Sequence, residues 1–223
     1  MEFGKAFTYV FEDKDWLKKI GIAALVSLIP LIGQLIVMGW SLEVTRRVIQ
    51  NDPNPLPDWA DFGGHTVRGL KSFVIGLVYA LPIILLGACQ GLIPVLGGNG
   101  GDDTMNTIIL VVTVCFSCVI FIYAILLALV LPAVYGKFAA TDELGAAFRF
   151  GQVFGLVRAA PSAYLIVVLA TLVTGIVAGL GIILCFIGVF LTLVYAMAVN
   201  GHFYGQAYNQ ATAAKEMQAS TSY

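Results

Sequence analysis

Cys115 and Cys118 stand three apart in an apolar run, and on a helix that spacing puts both thiols on one face. Such a pair could bind a soft metal or react as a dithiol. A structural metal needs about four ligands, and the only other thiols, Cys89 and Cys185, also lie in apolar stretches. The plainer reading is that all four pack as small apolar side chains, with no metal or cofactor expected. Gln34 and Gln90 also lie in apolar surroundings. An unpaired amide in hydrocarbon costs roughly 2–7 kcal/mol. Each should therefore face the bundle, as a substrate contact or as an interhelical hydrogen bond.

A third group ends the last apolar run. Asn200, Tyr204 and Tyr208 fall at i, i+4 and i+8, while His202 and Gln206 share another face. His202 could titrate near neutrality. Arg46 and Arg47, with Glu43, are expected at the same level. Together these residues are candidate contacts for an anionic headgroup or a partner loop; the alternative is an ordinary interfacial belt. His65, beside Gly63-Gly64, is expected in a loop. No Ser-His-Asp set, HExxH, P-loop or dinucleotide fingerprint occurs, and no charged residue lies deep in an apolar run. No catalytic residue, and no enzyme, is therefore expected, and ion-coupled transport is disfavoured.

The elements that hold these residues follow from composition. Hydrophobic residues make up 59% of the 223 and charged residues 11%, against about 25% charged in a soluble domain. Mean hydropathy is +0.91. The net charge of −1 gives no reason to expect nucleic acid as a partner. Ser162 to Ala198 contains no Asp, Glu, Lys, Arg or His. At ~1.5 Å per residue this run is about twice a hydrocarbon core of ~30 Å, so it must fold as a hairpin, turning near Gly179–Gly181.

The pattern predicts an all-α polytopic transmembrane helical bundle in a single membrane domain, 1–210. Its six membrane segments are about 17–29, 31–45, 72–96, 107–131, 162–179 and 182–200, with a polar loop at Gly97–Asn106. Amphipathic interfacial helices are predicted at 2–16, 58–70 and 142–158, and a disordered tail at 211–223. Pro30 and Gly33 interrupt the first apolar stretch. Lys5, Lys14, Lys18 and Lys19 precede it, and Arg46, Arg47, Arg68 and Lys71 follow it. The positive-inside rule wants both groups on one side, so this stretch should double back, spanning fully or as a re-entrant hairpin. All twelve Lys and Arg then share the cytoplasmic side, as do both termini. Gly69, Gly76, Gly175, Gly179 and Gly188 are candidates for close helix contact. Glu2–Phe7 and Glu143–Phe148 resemble one another, as an internal duplication would produce.

Several residues resemble a known family. They are Asp15-Trp16, Ile29 to Gly33, Gly39, Arg46-Arg47, Leu56-Pro57-Asp58-Trp59 and Asp61-Phe62. Gly69-Leu70-Lys71, Tyr79, Pro82 and the closing Gly201 to Tyr208 continue the pattern. From about residue 5 to 210 the chain resembles the prokaryotic membrane proteins of the domain of unknown function 4013 family. The resemblance implies archaeal or bacterial origin and an integral plasma-membrane location, and it carries no activity. The expected role is a non-enzymatic accessory or scaffold subunit of a membrane assembly, alternatively a carrier for a small neutral or lipid-like solute. Expected partners are membrane lipid and a membrane-protein partner or a second copy of the chain.

Overall fold

The computed structural model describes residues 1–97 and 103–220, without the side chains of 94–97 and 184–187. Every regular element in it is helical. In chain order these are α1 (Phe3–Glu12), α2 (Trp16–Ser27), α3 (Ile32–Ile49), α4 (Phe62–Gly97), α5 (Asp103–Thr141), α6 (Leu144–Ala147), α7 (Phe150–Ala159), α8 (Pro161–Leu180) and, after a 3-10 turn at Gly181–Leu184, α9 (Cys185–Ser220). The chain divides into two compact units. One comprises Met1–Ile75 with Leu129–Tyr223, the other Gly76–Ala128.

The larger unit is organised around α9, which packs against α1, α2, α3, α7 and α8. Its apolar core runs from Tyr9 and Val10 through Ile20, Val37 and Trp40 to Val194 and Ala198. The aromatic face of α1 docks on α9. Phe7 meets Phe203 at 5.7 Å, Tyr9 Oη donates to Ala198 O, and Tyr195 Oη donates to Phe7 O. Phe3 and Phe11 remain exposed. Close helix approach is set by glycines, the anticipated Gly69 among them. A Cβ on Gly39 would strike His65 O and come 2.7 Å from Gly69 N; one on Gly205 would lie 2.6 Å from Val48 Cβ. Gly201 meets Ser41 O in the same way. Gly175 and Gly179 face open space instead.

Four element boundaries differ from expectation for identifiable reasons. No separate helix forms over 58–70. Asp58 is held by Lys19 and His65, so Asp61 starts α4, its Oδ1 accepting the Gly64 N–H. The predicted helix over 142–158 divides into α6 and α7, with Phe148 and Arg149 between them. Pro132 lies inside α5 rather than ending it. The predicted tail continues α9 to Ser220, because Ala207 and Ala211 are buried and Lys215 Nζ reaches Gln152 O on α7. Asn51 and Asp142 adopt φ 57° and 54°, closing α3 and α5 in the left-handed conformation that polar residues tolerate at helix C-termini.

Among the described residues, three helices, α4, α5 and α8, contain stretches long and apolar enough to cross a membrane: Phe62–Ile93, Asp103–Thr141 and Pro161–Ile183. This is the composition of a membrane protein, and among the described residues length and hydropathy support three of the six expected crossings. The sixth predicted segment lies in α9, partly in residues whose side chains are not described. Within the predicted Gly97–Asn106 loop, Gly97 ends α4 and residues 103–106 begin α5, while 98–102 lie outside the described residues. The smaller unit pairs residues 76–97 of α4 with 103–128 of α5. Only 6% of the most apolar stretch of α5 is buried.

Candidate functional site

α2 and α3 form an antiparallel hairpin, and the linker after α3 returns across its base. The linker is extended because Pro53, Pro55 and Pro57 permit little else. Its carbonyls are consumed by side chains of the surrounding helices. Leu56 O accepts from Lys19 Nζ at 3.0 Å and Arg47 Nη1 at 3.4 Å; Pro57 O accepts from Trp40 Nε1; Asp58 O accepts from His65 Nε2. Trp59 stacks on Trp40 with centroids 5.7 Å apart, and its Nε1 donates to Lys19 O. His65, expected in a loop, is buried on α4 in edge contact with Trp59. The Leu-Pro-Asp-Trp sequence thus serves as a strap across the hairpin base.

Lys19 also pairs with Asp13 at 2.7 Å and Asp58 at 3.0 Å. Burial raises the Asp13 carboxyl, but the bonds from Lys19 and the Asp15 N–H outweigh it and hold the group below the usual carboxylate range.

Between α1, this linker and α9 lies a cavity of about 420 Å³. Its walls carry several carboxylates, Glu12 and Asp52 among them, several carboxamides including Gln206, the Lys5 ammonium and one imidazole, His202. Gln206 Oε1 accepts the backbone N–H of Glu2, which fixes the amide orientation. Its Nε2 therefore donates, to Glu2 O and to His202 Nδ1 at 3.1 Å. An imidazole accepting at Nδ1 carries its proton on Nε2. His202 is buried, its ring tilted 31° against that of Tyr9 with centroids 4.5 Å apart. Burial first, then the charge of Lys5, pulls its pKa down to about 4. It is neutral at pH 7, with its one lone pair engaged by Gln206.

The sequence candidates disperse. His202 and Gln206 meet at this cavity. Asn200 and Tyr204, on the other face of α9, take Thr174 and Tyr135 as partners. Arg46 and Arg47 pair with Glu43, each at 3.4 Å. Arg68 pairs with Glu43 at 2.7 Å and Asp142 at 3.6 Å, and Lys71 with Asp142. Arg68 and Asp142 carry this cluster as much as Arg46 does. Sequence reasoning missed them as site residues because Glu43, Arg68 and Asp142 lie far apart in the chain. Gln34 Nε2 donates to Ser27 O within the hairpin, and Gln90 Nε2 donates to Ser117 Oγ within the smaller unit. Each has a local partner. Cys89, Cys115 and Cys118 are exposed free thiols, and Cys185 falls outside the described side chains. Among the described residues no three His, Cys, Asp or Glu side chains converge as a metal would require.

Residues 22–199 match the family model described as a protein of unknown function (DUF4013). No curated protein matches the chain, and no solved structure does.

Proposed function

From the premise that this chain belongs to the DUF4013 family, we propose that it is an integral protein of a prokaryotic plasma membrane, acting as a non-enzymatic accessory or scaffold subunit of a membrane assembly. One observation carries the membrane placement. All twelve Lys and Arg lie in the larger unit, and the only charges between Gly76 and Ala128 are Asp102 and Asp103. The two arms of that segment, 76–97 and 103–128, are about 33 and 39 Å long at helical rise, enough for a hydrocarbon core of ~30 Å. Burying them in lipid and leaving every cation on the cytoplasmic side follows the positive-inside rule. The α8–α9 hairpin crosses in the same way, so both termini face the cytoplasm.

The scaffold role is supported by what the polar groups do. The linker carbonyls, the ion pairs around Glu43 and the Gln206 amide are spent on holding backbone in place. His202 has no free lone pair to act as a base. Gln34 and Gln90 each bond a local partner instead, which weakens the main support for a solute carrier. Purification from native membranes in mild detergent, followed by crosslinking and native mass spectrometry, tests the role. A fixed stoichiometry with a second protein or a second copy is expected. A lone monomer released without a crosslinked partner would sink it.

A further inference from the structure

The turn joining α2 to α3 pairs most of its backbone N–H groups within itself. Ile32 N–H donates to Pro30 O at 2.7 Å across Leu31, which stands at φ 62°, ψ −63°. This is a γ-turn of the positive-φ kind, rare and strained for a residue with a side chain. Holding Leu there costs about 1–3 kcal/mol. On either side, Leu28 and Ile29 donate to Leu25 O and Val26 O, Gly33 to Ile29 O, and Leu35 to Leu31 O. Ser27 Oγ donates to Ala24 O, and Gln34 Nε2 to Ser27 O at 3.0 Å. Pro30 brings no N–H at all.

A turn in water needs none of this, because solvent pairs its loose amides without strain. In hydrocarbon each unpaired group costs roughly 2–7 kcal/mol, more than the strain at Leu31. The side chains agree with the backbone. Leu25, Leu28, Ile29, Leu31 and Ile32 are exposed, Leu31 at 81%. No charged residue occurs between Lys19 and Glu43. The two arms have their basic ends together at Leu56 O, and α2 is only about 18 Å long at helical rise. That is roughly half of a ~30 Å core plus the headgroup edge.

We propose that the α2–α3 hairpin is a re-entrant element. Its tip, residues 28–32, is immersed in lipid acyl chains near the bilayer midplane, and both arms return to the face that bears Lys19 and Arg47. The inference rests on the membrane placement proposed above, and its test separates the two.

The four cysteines are replaced by alanine, and single cysteines are introduced by Leu31→Cys, Leu110→Cys on α5 and Asn54→Cys in the linker. Each variant is reconstituted in phosphatidylcholine–phosphatidylglycerol vesicles and treated with an impermeant maleimide on either side, or spin-labelled and relaxed with oxygen and a water-soluble nickel chelate. The expected result is loss of maleimide labelling at Leu31→Cys from both sides, with relaxation by oxygen and not by nickel, while Asn54→Cys labels from one side. Labelling of Leu31→Cys from the side opposite Asn54→Cys means a full crossing and overturns the proposal. Labelling from the same side, or shielding from both relaxants as a covering protein would give, overturns it while Leu110→Cys in lipid leaves the membrane placement standing. Leu110→Cys in water overturns both. If the cysteine-free chain fails to fold, Leu31→Trp in the native background replaces it. Its added fluorescence should be quenched by lipids brominated near the chain midpoint, and an absence of such quenching overturns the proposal.

Discussion

Lys19 and Arg47 donate to the same carbonyl oxygen, that of Leu56, at 3.0 and 3.4 Å. One ends the stretch entering the first hairpin and the other ends the stretch leaving it. Their meeting fixes the hairpin as a fold-back and ties the linker to its base. Lys19 is the more buried of the two and also neutralises Asp13 and Asp58. Lys19→Ala leaves Asp13 part-buried and unpaired, a change of the class that costs about 3–5 kcal/mol when fully buried. A loss near the lower end is expected, read as a fall in melting temperature in detergent. A red shift of Trp59 emission should accompany it, since Trp59 bonds Lys19 O. Arg47→Ala, whose contacts are longer, should cost about 1 kcal/mol.

Acid should weaken the α1–α9 contact before it touches the rest. The pKa of His202 is lowered to about 4 from an ordinary value of 6.5. A lowered folded-state pKa means that the unfolded chain binds the proton first as pH falls. The contribution is therefore fully present above about pH 6.5 and lost progressively between pH 6.5 and 4, by at most about 3 kcal/mol. Asp13, also lowered, adds its loss further down, within and below the ordinary carboxylate range. Chemical denaturation from pH 7.5 to 4.5 should show falling stability in the parent and a nearly flat profile in His202→Asn.

Glycines with different surroundings should respond in opposite directions. Gly205→Ala places a Cβ 2.6 Å from Val48 Cβ and 2.8 Å from Thr45 O, and overpacking of this kind costs about 1–3 kcal/mol. Gly175→Ala and Gly179→Ala meet nothing within 4 Å and should each gain up to about 1 kcal/mol of helix propensity. Thermal melts of the three variants in one detergent check the contrast.

Gln90 and Ser117 should act as a pair. Gln90→Leu and Ser117→Ala each remove the 2.9 Å hydrogen bond between α4 and α5. The double variant should cost no more than the larger single change, with a coupling of about 0.6 kcal/mol. A double-mutant cycle on steric-trap or detergent unfolding measures it. Full additivity would show that the bond carries nothing.

The sequence by itself determined the helical class, the long apolar hairpins, the segregation of cations and the fold-back of residues 17–45. Each follows from local composition and from the cost of placing charge in hydrocarbon, which needs no knowledge of neighbours. It also separated the two faces of 200–208, because helical spacing alone puts His202 with Gln206 and Asn200 with Tyr204. Only the tertiary structure decided what each face meets. The docking of α1 on Phe203 and Tyr195, the strap over Lys19 and Trp40, the joining of Arg68 to Glu43 and Asp142, and the glycines at crossing points all join residues distant in the chain. Partners of that kind are selected by packing and by the pairing of buried polar groups, and no local periodicity records them. The same holds for the boundaries that moved. Asp58 looked like a cap until Lys19 claimed its carboxylate, and the end of α9 looked unstructured until α7 gave it a surface.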